Sequence, residues 1–377
     1  MNKSYFLSFV LLVFQLNVNA QSNTRRVINI PDIPGYLTLK CDLHMHTVFS
    51  DGNVWPSVRV AEAWQEGLDV IAITDHMEYH PHADDIPVQY GRAYEIAKPH
   101  ADQMGLLLIR AAEITRKMPR GHFNCLFLED VAALDKEDFW ASMGAAVDQG
   151  AYIFWNHPGW KQKDEIPIWH PVHDTIFDLG WMHGMEIVNG PSYYPLAYQW
   201  CLEKGITIFG NSDVHNPTGF DYLTGGEETR SLMLVFALEK TNESVREALD
   251  AGRTAVWRGD ELYGQADYLK AIFDESVRVI SQPVGLKGED TSFVQIINES
   301  DIVFNLTMGE KLEGFSYAPE MILYPGRIAI LRFSNTMQGK EGKADLSIPF
   351  SVTNLFTGPE ENLSVTLDMQ VNFIPED

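Results

Sequence analysis

The chain has 377 residues, 45% of them hydrophobic, with nine Trp, and a formal net charge of -24 from 28 Lys and Arg against 52 Asp and Glu. That apolar content excludes a disordered or low-complexity chain and is enough for one large domain plus an appendage. The charge excludes the usual nucleic-acid binder and the binder of anionic membranes, since both need clustered Lys and Arg, so no nucleic-acid partner is expected.

Residues 1–20 read as a secretory signal segment. Lys3 supplies the positive start, Tyr5 to Leu16 the apolar run, and Val18-Asn19-Ala20 the small residues of a cleavage site. The run is too short to span a bilayer comfortably, so no membrane anchor is expected after cleavage. The protein is therefore expected outside the cytoplasm, in a periplasm or the medium. An exported chain could hold disulfides. Cys41, Cys125 and Cys201 are its only cysteines and form no Cys-x-x-Cys, so buried free thiols are expected.

From Leu37 the pattern alternates strand and helix. Strands are expected at 37–43, 69–74, 106–112, 122–128, 151–155, 184–188, 206–210, 231–237 and 254–257. Helices are expected at 56–66, 88–104, 136–149, 192–204 and 243–250, several of them stopped by Gly67, Gly105 or Gly150. This rhythm predicts an α/β fold with short buried strands. An open doubly wound sheet and a closed barrel both fit it, and no Gly-x-Gly-x-x-Gly follows a strand. From Ser276 onward the helical rhythm stops. Alternating or β-branched runs at 292–298, 302–308, 327–334, 345–353 and 363–373, separated by Gly and Pro turns, predict a small antiparallel β sandwich. The expected division is a signal segment over 1–20, an α/β domain over 21–275 and an all-β domain over 276–377.

Metal-type residues fall at strand ends. His44 and His46 end the first strand, with Asp51 at the following loop tip. Asp75 and His76 end the second, Glu113 ends the third, His122 opens the fourth, His157 ends the fifth, and Asp213 and His215 follow the strand at 206–210. On a regular strand Asp42, His44 and His46 would share one face. Asp42 would then stand behind the histidines and fix a tautomer, and Asp75 is read in the same supporting role. In a parallel barrel the C-terminal strand ends converge on one face. His122 starts its strand, so either that strand is reversed or its ligand sits in the preceding loop. Histidine mixed with carboxylate, without a thiolate pair, suits Mn, Zn or Fe. Bound ions would also attract an anionic substrate to so acidic a chain.

Taken in order, Asp42-Leu43-His44-Met45-His46-Thr47, Ser50-Asp51-Gly52, Ile73-Thr74-Asp75-His76, Asn156-His157-Pro158 and Ser212-Asp213-Val214-His215 resemble the motifs of the polymerase-and-histidinol-phosphatase (PHP) family. The resemblance runs from about Leu37 to Trp257. It implies a distorted (β/α)7 barrel, two or three divalent ions and phosphoesterase activity. It further implies that His44, His46, Glu113 and Asp213 hold a first ion. Glu113 would bridge to a second, completed by His122 and His157, and Asp51, His76 and His215 would hold a third. Glu113, His157 and Asp213 would stand at the reacting centre. Asp51 departs from all-histidine versions of the third site and makes it richer in oxygen.

In such a site a hydroxide shared by two ions attacks phosphorus and an alcohol leaves. A water on the third ion or His80 would supply the proton, although His80-Pro81-His82 also reads as an exposed turn. Arg116, Lys117, Arg120 and Arg253 are candidates for holding phosphate oxygens, or plain solvated residues. Trp155, Trp160, Trp169, Trp181, Tyr193 and Tyr194 read either as packing against the C-terminal part or as an apolar wall for an organic group. The reading that results is an exported metal-dependent phosphoesterase acting on a small phosphate ester, a phosphodiesterase ahead of a phosphomonoesterase. The signal segment and the added β domain resemble secreted phosphodiesterases of the family. Amide or lactone hydrolysis, and a non-enzymatic exported metal- or carbohydrate-binding protein, are the competing readings.

Overall fold

The structure, a computed structural model, describes residues 24–222, 230–280, 282–287, 291–336 and 341–374; the expected signal segment lies outside them. The first part contains β1 (Leu37–Met45), α1 (Pro56–Gln65), β2 (Val70–Ile73), α2 (Arg92–Met104), β3 (Leu107–Thr115), β4 (His122–Leu126), α3 (Phe139–Val147) and β5 (Tyr152–Trp155). It continues with α4 (Pro171–Asp178), β6 (Gly184–Asn189), β7 (Ser192–Tyr193), α5 (Pro195–Lys204), β8 (Thr207–Asn211), α6 (Thr218–Tyr222), β9 (Leu232–Ala237), α7 (Asn242–Asp250), β10 (Thr254–Arg258), β11 (Glu261–Gly264) and α8 (Ala266–Ser276).

Local chemistry sets the boundaries. Helix α1 opens with Pro56 in its first turn and α3 with Asp138, whose carboxylate accepts the Ala141 N–H at 2.9 Å. That cap moves the start of α3 three residues past the expected Lys136. Helix α2 starts at Arg92, later than expected, because Gly91 takes a left-handed φ of 78°. Helix α5 starts at Pro195 because Ser192 and Tyr193 fold back on β6 as a hairpin. Helices α4 and α8 fall in stretches where no helix is expected from the sequence.

Strands β1, β2 and β3 are parallel neighbours, as are β5, β6 and β8. Between these sets β4 runs antiparallel to both β3 and β5. The link 116–121 is too short for a parallel crossover, so the strand must turn back. The reversed-strand alternative for His122 is therefore the correct one. The sheet curls until the chain after β8 meets β1. The His46 N–H donates to the Val214 carbonyl at 3.1 Å, the Asp213 N–H to the His44 carbonyl at 3.0 Å and the Leu43 N–H to Asn211 Oδ1 at 2.8 Å. Inside the curl, Leu39, Cys41, Leu43, Val70, Ala72, Ile109, Tyr152, Phe154 and Phe209 pack as one cluster, with the Phe154 and Phe209 rings stacked at 4.2 Å. All three cysteines are buried and unpaired.

The C-terminal part is built of β12 (Val277–Val279), β13 (Val284–Lys287), β14 (Thr291–Asn298), β15 (Phe304–Met308), β16 (Phe315–Tyr317), β17 (Glu320–Leu323), β18 (Ile328–Asn335), β19 (Gly342–Phe356) and β20 (Asn362–Ile374). One sheet has the order β12-β14-β18-β16, and the other contains β13, β20, β19, β15 and β17. Alternation puts Val294, Ile296, Leu331 and Phe333 inward to meet Phe350, Val365 and Leu367. Pairing is antiparallel, as expected, except between β13 and β20. The end of β19 adds to the edge of the first part, with Leu355 and Phe356 pairing in parallel with Leu262 and Tyr263 of β11. Among the described residues no helix is long and apolar enough to cross a membrane.

Candidate metal centre

The site begins at an irregularity in β1. The β1–β2 register shifts between Asp42 and Met45, a bulge that breaks the expected alternation. Cys41 and Leu43 face the inner cluster, whereas Met45 packs in the outer core with Val60 and Ile71. Asp42 therefore does not share a face with the histidines. Its carboxylate accepts from the Ser212 hydroxyl, the Ser212 and His44 backbone N–H groups and the Arg230 guanidinium, tying β1 to the chain after β8.

Asp75 holds the loop between β1 and α1. It accepts the Thr47 N–H and hydroxyl at 2.7 Å each and the Ser50 hydroxyl at 2.8 Å. Gly52 closes that loop. A Cβ there would lie 2.6 Å from the His46 carbonyl carbon, so only glycine lets the chain turn back tightly enough to present Asp51.

Strand β3 extends to Thr115, so Glu113 lies within it rather than after it. The β3–β4 register sets Thr115 opposite His122 and Glu113 opposite Asn124. Glu113 and His122 are therefore neighbours on one face. A bridge between His76 and Glu113 brings in the end of β2. His157 and Asp213 both have left-handed backbones, at φ 27° and 54°. Such conformations are costly for residues with a Cβ and persist where surrounding contacts fix them; here they turn both side chains over the strand ends.

The nine residues named as ligands all converge. They form four overlapping groups, His44–His46–Asp213, His44–Glu113–His157, His76–Glu113–His122 and His46–Asp51–His76–His215, each with its ligand atoms within 4.8 Å of one another. His44 Nε2 lies 2.9 Å from Glu113 Oε2 and 3.1 Å from Asp213 Oδ1. His46 Nε2 lies 3.4 and 3.0 Å from the same two oxygens. His122 Nδ1 is 2.7 Å from Glu113 Oε1. Asp51 Oδ1 is 3.4 Å from His76 Nε2 and 3.2 Å from His215 Nε2.

His46 Nε2, Asp51 Oδ1, His122 Nδ1 and Asp213 Oδ1 are buried without a hydrogen-bond partner. Buried polar atoms are rarely left so. Here the orphaned atoms are nitrogen and oxygen donors that face one another, the set a divalent cation would satisfy. Electrostatics agrees. Burial disfavours an ionised Glu113, but His76 and His122 hold its carboxyl well below the usual range, and His44 and His46 do the same for Asp213. Burial likewise opposes charging of His44, yet Asp213, Glu186 and Glu113 lift it well above its ordinary value. Burial pushes His46 down to about 3 and His157 down to about 4. Glu113 and Asp213 are thus held ionised among imidazoles, at a place that calls for positive charge.

A two-domain protein from Bacteroides vulgatus ATCC 8482, containing a predicted PHP-like metal-dependent phosphoesterase, matches at 39% identity. The match covers 93% of this chain and 100% of that one, with a TM-score of 0.86. The chain belongs to the PHP-like metal-dependent phosphoesterases. It is a hydrolase of phosphoric esters. Residues 277–368 match the DUF5001 Ig-like domain family, so a PHP-like α/β part is followed by an Ig-like β domain. Two weaker likenesses carry no argument. One is to a protein from Bifidobacterium adolescentis ATCC 15703 designated a metal-dependent phosphoesterase (16% identity, 55% of this chain and 95% of that one, TM-score 0.41). The other is to an amidohydrolase from Chromobacterium violaceum (15% identity, 47% and 88%, TM-score 0.36). No curated protein matches the chain.

One residue of the PHP-like site is not singled out by the sequence. Glu186, fully buried in β6, accepts from His44 Nδ1 at 2.9 Å, the His157 N–H at 2.7 Å, and the Asn189 and Asn211 side-chain amides at 2.9 Å each. It is Glu186, not Asp42, that fixes a ligand histidine. With the Nδ1 proton held by Glu186, His44 would turn an Nε2 lone pair to the cluster once a metal ion displaced the Nε2 proton.

Above the PHP-like site lies a cleft of about 840 Å³. Arg116 reaches its wall, but its guanidinium is engaged by Glu78, the Lys136 carbonyl and the Ser142 hydroxyl. Lys117 lines the cleft, whereas Arg120 lies over the Phe139 ring. Arg253 is misplaced by the sequence reading. Its guanidinium donates to the Phe236 carbonyl, pairs with Glu247 and covers the Tyr36 ring, away from the cleft. His80 also lies outside the cleft lining and packs beside Tyr90. Of the aromatic residues, Trp160 stands over His122 and His157, with ring centroids at 4.9 and 5.3 Å. Trp155 touches the cleft lining and packs with Trp169 around His173, and the Tyr193 ring lies 4.7 Å from that of Tyr263 beside the Ig-like domain.

Proposed function

We propose that this chain is an exported phosphodiesterase acting on a small organic phosphate diester. The observation that carries the reading is the convergence of nine ligands, four of them with an orphaned buried atom, six of which line a cleft with organic walls on two sides. Tyr79, 52% exposed, stands beside His76 at 6.1 Å, and Trp160, 41% exposed, stands beside His122 and His157. A phosphoryl group on that floor would have an apolar surface for each of two substituents, which a monoester does not need. The seven strands β1 to β6 and β8 are read as the family's distorted barrel, followed by its β domain. Export rests on the composition of residues 1–20.

His44, His46, Glu113 and Asp213 would hold one ion. Glu113, His122 and His157 would hold a second, and Asp51, His76 and His215 a third. Two or three ions of Mn, Zn or Fe fit these donors. When bound they would lower the pKa of water to supply a nucleophile and neutralise the non-bridging phosphoryl oxygens. The protein's own part is to aim the donors. Glu186 fixes the tautomer of His44 and the backbone of His157. The Thr115 hydroxyl donates to Glu113 Oε1 at 3.1 Å and meets His76 Nδ1 at 2.6 Å, setting both side chains together. Trp160 shields the His122 and His157 side from bulk water.

The test is hydrolysis by Mn-loaded protein of bis-p-nitrophenyl phosphate against p-nitrophenyl phosphate, before and after chelation. Metal-dependent turnover with the diester preferred is expected. A preference for the monoester would overturn the diester reading, and failure to turn over either would overturn phosphoester hydrolysis.

A further inference from the structure

Two lysines line the cleft, Lys117 from the β3–β4 link and Lys161 from the loop after β5. In a chain with 52 acids and 28 Lys and Arg, neither makes an ion pair among the described residues. Arg116 beside them is the contrast, with its charge already met by Glu78. The ammonium of Lys161 instead rests 3.8 Å from the centroid of the Trp160 ring. An indole face attracts a cation without cancelling its charge as a carboxylate would.

The loop is built to hold this pair. Lys161 has a left-handed φ of 56°, which turns its side chain back over the preceding residue. The Trp160 N–H donates to the His157 carbonyl at 2.9 Å and the Gln162 N–H to Gly159 at 3.0 Å. A Cβ on Gly159 would collide with the Glu165 carbonyl and the Tyr194 ring, so the turn closes only with glycine there. Glu165 is itself tied to the Ser192 hydroxyl at 3.1 Å. The strained loop is thus fixed at both ends, one of them the proposed ligand His157.

We propose that Trp160, Lys161 and Lys117 form a subsite for a second anionic group, a carboxylate or a phosphate, on the organic part of the substrate. The inference rests on the phosphoesterase reading and narrows its substrate class. A neutral alcohol would gain nothing from either ammonium. An anion in the cleft would gain charge-assisted hydrogen bonds from both, away from the solvent-exposed acids elsewhere. Trp160 and Met118, which also lines the cleft, would cover the carbon skeleton between the two charged ends.

The experiment compares kcat/KM of Mn-loaded protein for methyl phenyl phosphate, methyl 3-carboxyphenyl phosphate and the 3-phosphoryloxy analogue of the latter. At least one anionic ester is expected to exceed the plain ester by about tenfold or more, the range of a hydrogen bond to a charged group. The better of the two identifies the source of the anion. Lys161→Gln and Lys117→Gln are each expected to cut that ratio several-fold. Lys163→Gln, in the same loop but outside the cleft, is the control and should leave it in place. A wild-type ratio of one or less, or a ratio that Lys161→Gln and Lys117→Gln do not change, overturns the subsite. Hydrolysis of all three esters without preference overturns this inference alone, whereas hydrolysis of none overturns the phosphoesterase reading with it.

Discussion

Glu186 accepts four hydrogen bonds, from the His44 ring, the His157 backbone and the amides of Asn189 and Asn211. An amide in its place can accept at one end only. Glu186→Gln should therefore leave two of these donors facing an NH2 group and release the tautomer of His44. The expected loss in metal affinity is about 10- to 100-fold, read by competition with a chelator. An unchanged affinity would mean that Glu186 only fills space. The metal-type residues were legible because strand-end His and Asp are rare and fell at every turn of one face. Glu186 was not, because a single acid within the apolar run Gly184–Asn189 carries no signal, and three of its four partners come from β1, the loop after β5 and β8. Arg253 was misread for the converse reason. A basic residue after glycine resembles an anion-binding residue until Glu247, six residues earlier in α7, is seen to take its charge.

At the level of elements, helix α4 went unread because its stretch, between Trp160 and Trp181, is dominated by aromatic and histidine residues rather than a helical period. The structure gives the physical reason for the helix. Pro171 starts it, and the buried ring of His173 accepts the His170 N–H at 3.0 Å through Nδ1. Its Nε2–H donates to the Arg120 carbonyl at 3.1 Å, and the ring lies 3.8 Å from Trp155. Helix α4 is thereby tied to the β3–β4 link. Burial, followed by the nearby His170, outweighs the Arg120 carbonyl and pushes His173 down to about 4. The unfolded ring titrates near 6.5, so protonation favours the unfolded chain between those values. His173 contributes stability that is whole above pH 6.5 and fades as pH falls towards 4, by about 3 kcal/mol. In denaturant unfolding, the stability gap between wild type and His173→Gln should shrink over that interval. A gap independent of pH would contradict the neutral, doubly bonded ring.

Across the whole molecule the two parts share one core. The outer cluster runs from Val60 and Ile71 through Leu269 and Phe273 to Phe304, Phe350 and Val365, with the Phe273 and Phe304 rings 5.2 Å apart. Strand β19 adds to β11, and Phe356 stacks on Tyr263 at 5.1 Å. The β-rich character of the C-terminal part was legible from alternation. The junction was not, because β11 and α8 have too little pattern to be read, and Leu262 and Tyr263 of β11 pair with Leu355 and Phe356, far along the chain. All nine Trp precede residue 275, so Trp fluorescence reports the α/β part alone. Phe350→Ala in the sandwich core should cost about 3–5 kcal/mol and lower the Tm seen by Trp fluorescence. An unchanged fluorescence Tm would show that the parts unfold independently.

The most direct test of the metal centre is an anomalous difference map from crystals of Mn-loaded protein. Peaks are predicted within bonding distance of His44, His46 and Asp213, of Glu113, His122 and His157, and, where the third site fills, of Asp51, His76 and His215. A map without peaks among these nine side chains, from protein that retains Mn, would contradict the account.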